Sequence, residues 1–147
     1  MSASFRYAAT CPKGVEPLLA AELRALGADE VRETRAAITF TGALEAGYRA
    51  CLWSRLASRV LLTLAEFPAP SADELYAGVS AIAWEDHIAP DGTLAIDVVG
   101  TTSGLTHTRF AAQKAKDAIV DRLRERTGVR PSVEFERPDV RVNLRLA

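Results

Sequence analysis

The hydrophobic period of this chain changes repeatedly within its first 67 positions. Runs of strand-forming residues alternate with helical patterns; the strand-like runs are 5–10, 30–40 and 59–67, and the helical ones are 15–26 and 44–56. Side chains alternate along a strand and recur every third or fourth position along a helix. This succession therefore restricts the segment to a small sheet that carries two helices.

The order of these elements predicts a known topology. The run at 30–40 contains a reversal near residues 34–36, so the order is strand, helix, strand, strand, helix, strand. That is the βαββαβ arrangement of ferredoxin-like domains, in which two helices pack on one face of a four-stranded antiparallel sheet. We therefore predict an α+β protein whose first domain spans residues 1–67, with residues 59–67 as a buried strand.

The helical patterns also predict which faces lie inward. In the first helix the inward set is Val15, Leu18, Leu19, Leu23 and Leu26, and in the second it is Leu44, Tyr48, Cys51, Leu52 and Leu56. Cys11 and Cys51 fit no metal or redox spacing, so we predict two reduced thiols in the core.

A proline-rich stretch at residues 68–73 is the predicted boundary to an α/β domain at 68–147. Its elements read helix, strand, helix, strand, strand. Ser71 is the predicted cap of the first helix, and a nearly continuous apolar run predicts a central strand at 93–99. A helix at 109–126 precedes strands at 132–136 and 140–146. Because the chain stops directly after a strand, we expect a truncated domain from a longer protein.

The sequence gives little support for an enzyme or a membrane protein. There is no glycine-rich phosphate loop, no zinc spacing and no convincing nucleophile–base pair, so we predict no catalytic, metal or cofactor residues in this chain. No apolar run approaches the roughly 20 residues of a membrane span, and no signal peptide is visible. These features favour a cytoplasmic protein without membrane contact.

The net charge of −1 conceals an uneven distribution. Residues 1–105 hold 8 Lys and Arg against 13 Asp and Glu, whereas residues 106–147 hold 10 against 6. In the second helix of the α/β domain, Lys114, Arg122 and Arg126 share a predicted stripe, with Arg109 and Lys116 beside it. The acids between them leave an ordinary ion-paired helix as an open alternative.

The polar loop at 101–108 favours binding of a phosphate. Its hydroxyls lie beside the start of a helix, where backbone N–H groups lack partners within the helix. His107 and Arg109 add side-chain donors, and Arg141 and Arg145 extend the basic character along the last strand. We predict that Phe110 lies in the core rather than serving as a stacking platform.

Several segments together resemble one enzyme family. They are residues 13–19 with the following AAEL and LGA, then 52–62, 73–87, 111–133 and 138–144. Over essentially its whole length the chain is similar to the N-terminal ferredoxin-like plus THUMP region of the large, bifunctional bacterial 23S rRNA guanine-N2 methyltransferases.

The resemblance implies a module that binds structured RNA and positions it for a separate C-terminal domain, which methylates guanine with S-adenosylmethionine. This chain contains neither the catalytic motif nor the cofactor loop of that domain. The resemblance implies RNA contacts at Lys114, Lys116 and the loop from Thr101 to Arg109, and the basic last strand adds Arg141. The full set of RNA contacts that we predict is Thr106, His107, Thr108, Arg109, Gln113, Lys114, Lys116 and Arg141. One alternative is a module that docks a catalytic domain without touching RNA. A small acylphosphatase-type hydrolase is a weaker one, because residues 11–14 imitate its anion loop poorly.

Overall fold

The computed structural model describes residues 3–147 and divides the chain into two compact units, residues 1–66 and 67–147. Each unit has its own hydrophobic core. Across the described residues, no helix is both long enough and apolar enough to cross a bilayer. The predicted mixed α and β fold is confirmed.

The first unit has the predicted βαββαβ order. Its elements are β1 (Phe5–Thr10), α1 (Glu16–Ala25), β2 (Asp29–Thr34), β3 (Ala37–Gly42), α2 (Leu44–Trp53) and β4 (Arg59–Thr63). The strands form an antiparallel sheet in the order β2-β3-β1-β4, with Tyr7 opposite Phe40 on one side and Leu62 on the other. The rings of Tyr7 and Phe40 stack at 5.0 Å between centroids.

The predicted inward face of α2 is wrong. Leu44, Tyr48 and Leu52 are exposed, and the buried positions are Gly47 and Ala50. A Cβ atom on Gly47 would lie 2.5 Å from the Tyr7 ring, so the helix approaches the sheet through its smallest side chains.

The burial of three further residues of this unit can be compared with the prediction. Cys51 lies on the exposed side of α2, which contradicts its assignment to the core, whereas Cys11 is buried as predicted. Leu18 of α1 is also exposed, contrary to the prediction, while Leu19 and Leu23 are fully buried.

The strand β4 is shorter and more exposed than predicted. It ends at Thr63, which pairs with Arg6, and β1 begins one residue earlier, at Phe5. Residues 64–67 therefore have almost no sheet partner left, and Leu64 is more than a third exposed. Because β4 is an edge strand of the sheet, three of its residues are half-buried and two are exposed.

The second unit forms a helix-covered three-stranded sheet. Its elements are α3 (Ala72–Ser80), a short 3-10 turn (Trp84–Asp86), β5 (Thr93–Val99), α4 (Thr108–Thr127), β6 (Ser132–Val133) and β7 (Val140–Arg145). The order is β6-β5-β7 with both pairs parallel, so β5 is central as predicted. The Ser71 hydroxyl accepts from the Glu74 N–H, which confirms the predicted cap of α3. The strand predicted at 132–136 is wrong in length: only Ser132 and Val133 pair with β5.

The core of the second unit lies between α3, α4 and one face of the sheet. The buried residues of α4 include every position predicted to face inward: Ala111, Ala115, Ala118, Ile119 and Leu123. Trp84 is buried as well, and its indole N–H donates to the Val79 carbonyl at 2.8 Å. The helix ends at Gly128, whose φ of 78° is a conformation that glycine adopts without strain.

Candidate nucleic-acid interface

The N-terminus of α4 is exposed and uncapped. His107 occupies the N-cap position without a side-chain hydrogen bond, and the first turn contains no acidic residue. Thr106, His107, Thr108 and Arg109 are all exposed. The first N–H groups of a helix have no partners within it and carry partial positive charge, so this end of α4 can receive an anion.

Three of the predicted RNA contacts form one stripe that leads away from this end. Arg109, Gln113 and Lys116 follow each other at spacings of four and three, which places them on the same side of the helix. Arg109 and Gln113 are exposed and Lys116 is half-buried. Lys116 has a neighbouring acid, Asp117, with 3.5 Å between Nζ and Oδ1. The stripe thus offers two cations and an amide in a row.

Lys114 lies on the opposite side of α4 from Lys116, because two residues turn a helix by about 200°. Its ammonium group stands 6.0 Å from the centroid of the Tyr76 ring on α3. The Tyr76 hydroxyl donates to the Asp121 carboxylate at 2.6 Å, and this bond, together with burial, raises the pKa of Tyr76. The structure therefore separates Lys114 from the stripe and packs it within the α3–α4 contact.

Arg122 does not contribute a free cation to the predicted stripe of Lys114, Arg122 and Arg126. The Arg122 guanidinium donates twice to the Glu85 carboxylate, at 2.8 and 2.9 Å, and once to the Ser80 carbonyl at 2.7 Å. These bonds lower the pKa of Glu85 from its ordinary value of 4.5 to about 2, and they raise the pKa of Arg122. Arg122 thus fastens α4 to the segment after α3. For this residue, the ion-paired alternative is the one observed.

Arg141 also has partners within its own unit. It lies on β7, and one guanidinium nitrogen is 3.0 Å from the Asp97 carboxylate while another donates to the Phe135 carbonyl at 2.9 Å. Its neighbours Val140 and Val142 pack against the core that α4 covers. Since side chains alternate along a strand, Arg141 lies on the opposite face of the sheet from α4.

Phe110 is half exposed, at 50%, so its predicted place in the core is wrong. It lies in the first turn of α4, next to Arg109. Among the described residues, no group of three or more His, Cys, Asp and Glu side chains is arranged to hold a metal ion.

A cleft between α4 and β6 adds residues that the sequence analysis did not single out. It is lined by Lys116 and Val120 of α4 and by Arg130, Pro131, Ser132 and Val133, and its volume is about 300 Å³. The signal available in the sequence was Arg130 itself, a base between the helix-ending Gly128 and a short strand.

Two family models account for nearly the whole chain. The RlmL ferredoxin-like domain matches residues 6–61, and the THUMP domain matches residues 69–147. This chain belongs to the THUMP domain family. The resemblance noted from the sequence is thereby confirmed.

The known relatives of this THUMP chain are longer proteins. It is 59% identical over 146 residues to ribosomal RNA large subunit methyltransferase K/L of Syntrophotalea carbinolica. The match covers 99% of the chain but 20% of the relative, so the chain spans about a fifth of the length of the curated relatives it matches.

Solved structures share the fold. SMU.472 in complex with SAH superimposes with a TM-score of 0.84 at 26% identity, over 100% of this chain and 40% of that one. A predicted N6-adenine-specific DNA methylase from Listeria monocytogenes gives 0.81 at 28% identity, over 90% of this chain and 38% of that one.

Proposed function

We propose that this chain is the RNA-binding, substrate-positioning part of a methyltransferase that modifies the exocyclic amine of a guanine in 23S rRNA. The proposal joins two lines of support. One is membership of the THUMP family together with close similarity to ribosomal RNA large subunit methyltransferases. The other is a surface on α4 with the donors that contact RNA phosphates.

The observation that carries the proposal is the continuity of that surface. The uncapped N-terminus of α4, with Thr106, His107 and Thr108, leads directly into the stripe of Arg109, Gln113 and Lys116. Backbone N–H groups, hydroxyls, an amide and two cations follow one another along one side of the helix. These are the groups that hold a nucleic-acid backbone in position without reading its sequence.

Catalysis is assigned to another domain of the parent protein. That domain would supply S-adenosylmethionine as the methyl donor, and it would be the partner of this chain. Such an enzyme would act in the cytoplasm, and the division into domains at 1–67 and 68–147 stays a prediction.

Lys114 and Arg141 also stay predictions as RNA contacts, although each has a partner within the unit. Membership of the THUMP family does not favour the alternative, a docking module that avoids RNA.

Fluorescence anisotropy with labelled fragments of 23S rRNA at several salt concentrations tests the proposal. Charge reversal at Arg109 or Lys116 should weaken binding by about ten- to 150-fold, because each reversal removes a charge-assisted bond worth about 1.5–3 kcal/mol. Lys13→Glu, which reverses an exposed lysine in the first unit, is the matched control. Unchanged affinity in both Arg109→Glu and Lys116→Glu would show that the chosen surface is wrong.

Lys114→Glu and Arg141→Glu serve a separate comparison. Each leaves the stripe intact, so a loss of affinity as large as that of Lys116→Glu would widen the interface to other parts of the unit. If the wild-type chain binds no structured RNA even at low salt, the proposed function fails.

A further inference from the structure

The cleft between α4 and β6 is formed by ordered backbone. At the end of α4, the Thr127 hydroxyl donates to the Leu123 carbonyl at 2.6 Å and accepts from the Val129 N–H at 3.3 Å. After Gly128 the chain turns, and Pro131 is buried. Arg130 is therefore held between a fixed helix end and a buried proline, beside the cleft.

The charged residues that line this cleft are both positive. They are Lys116 and Arg130, and none of the described residues in the lining is acidic, although Asp117 lies 3.5 Å from the Lys116 ammonium group. Arg122, Arg124 and Arg141 of the same unit each lie against a carboxylate, whereas Arg130 has no ion-pair partner within residues 3–147. Among the described residues, Arg130 is thus the cation of this cleft that is available to an anion.

Two of the other lining residues, Ser132 and Val133, offer groups that bind a phosphate. Ser132 contributes a hydroxyl. The Glu134 N–H donates to Leu94 of β5, and because successive N–H groups of a strand point to opposite sides, the Val133 N–H points away from β5. β6 has a sheet neighbour on one side alone in the described chain, so that donor is available. No aromatic side chain lines the cleft, which disfavours a base stacked within it.

We propose that the cleft between α4 and β6 binds a backbone phosphate of the RNA, with Arg130 and Ser132 as contacts in addition to Lys116. This inference rests on the proposed function and deepens it. Lys116 belongs to both surfaces, so the RNA backbone passes from the N-terminus of α4, along Arg109 and Gln113, into the cleft.

Anisotropy with the wild-type chain, Arg130→Gln and the matched control Arg137→Gln tests the cleft. Arg137 is exposed and does not line it. Arg130→Gln should lower affinity several-fold and reduce the slope of log K against log salt by about 0.7–0.9, the share of one neutralised phosphate. Arg137→Gln should change neither quantity. Circular dichroism checks that both variants are folded.

The outcomes separate the two proposals. If the wild-type chain binds RNA and Arg130→Gln keeps the wild-type affinity and slope, the cleft is excluded while the proposed function stands. If neither the wild-type chain nor the variants bind RNA, both the proposed function and the cleft proposal are overturned. In ¹⁵N-labelled protein, RNA should shift the amide signals of Ser132 and Val133 in the wild type, and Arg130→Gln should need a several-fold higher RNA concentration for the same shift. Unshifted signals at saturating RNA also overturn the inference.

Discussion

Gly104 offers the sharpest structural test of the second unit. It lies in the loop between β5 and α4, where a Cβ atom would stand 1.7 Å from the Pro70 carbonyl oxygen. The loop is closed by paired backbone hydrogen bonds between Thr102 and Leu105, and Leu105 is buried in the core. In Gly104→Ala the loop must therefore move away from the start of α3 and pull Leu105 with it.

The size of the effect follows from the overlap. Real Cβ contacts are essentially never shorter than 3.0 Å, so the alanine demands a shift of about 1.3 Å against a backbone atom that has no rotamer to change. Overpacking of this kind costs about 1–3 kcal/mol, and the rigid partner favours the upper end. For a unit of this size, each kcal/mol lowers Tm by about 4–8 °C, so we expect a drop on the order of 12–24 °C.

Thermal unfolding followed by circular dichroism measures the loss, and ¹H–¹⁵N spectra assign it to residues 67–147. Gly128→Ala is the control: its φ is also positive, at 78°, but no atom lies within 4 Å of the added carbon. It should cost about 1–2 kcal/mol from backbone strain alone. A Gly104→Ala protein at least as stable as Gly128→Ala would refute the close approach of the loop to Pro70.

Two other predictions concern ionisation and thiol access. The pKa of Glu85 is lowered to about 2, so its ion pair with Arg122 stabilises the fold above the ordinary value of 4.5 and is lost as pH falls toward 2. The difference in Tm between wild type and Glu85→Gln should thus be constant near neutral pH and shrink below pH 4.5; a difference independent of pH down to 2 contradicts the ion pair. Cys51 should react with a thiol reagent in the native state, whereas Cys11, whose pKa is raised by burial and by Glu16, should react after unfolding. Equal labelling rates for Cys51→Ser and Cys11→Ser proteins would contradict the orientation of α2.

Local periodicity was enough to predict the element order and the inward face of α4. It failed on α2, because that helix has two usable faces with the same period. The large residues Tyr48 and Leu52 suggested one of them, but the sheet receives the other, where Gly47 leaves room for Tyr7. Which face of α2 packs on the sheet depends on Tyr7, 40 residues before Gly47, and a local sequence pattern does not include so distant a residue. The length of β4 escaped prediction similarly, because it is set by where β1 begins.

The part of the candidate site that lies on one helix could be predicted from the sequence. The parts that depend on contacts between segments distant in sequence could not. The stripe of Arg109, Gln113 and Lys116 follows from helical spacing, although the sequence pattern was interpreted as a stripe through Lys114 with Arg109 and Lys116 beside it. Arg122 was assigned to a basic surface because its partner Glu85 is 37 residues distant in sequence. Arg130 was overlooked because a single base between Gly128 and a short strand is a weak signal, and its place beside a cleft depends on the packing of α4 against β6.

The charge distribution of the second unit gives a different argument for a local RNA site. Residues 67–147 hold 10 Lys and Arg against 12 Asp and Glu, so the unit as a whole is slightly negative. General attraction to a polyanion cannot supply the affinity, because acids that precede α4 neutralise bases within it, as Glu85 does for Arg122. Binding must come from a local group of cations, in which Arg109 and Arg130 have no ion-pair partner among the described residues and Lys116 lies beside Asp117. With Arg109, Lys116 and Arg130 on three phosphates, log K should fall with log salt with a slope of about −2 to −3. A much steeper slope would show that other basic residues, in either unit, also contact the RNA.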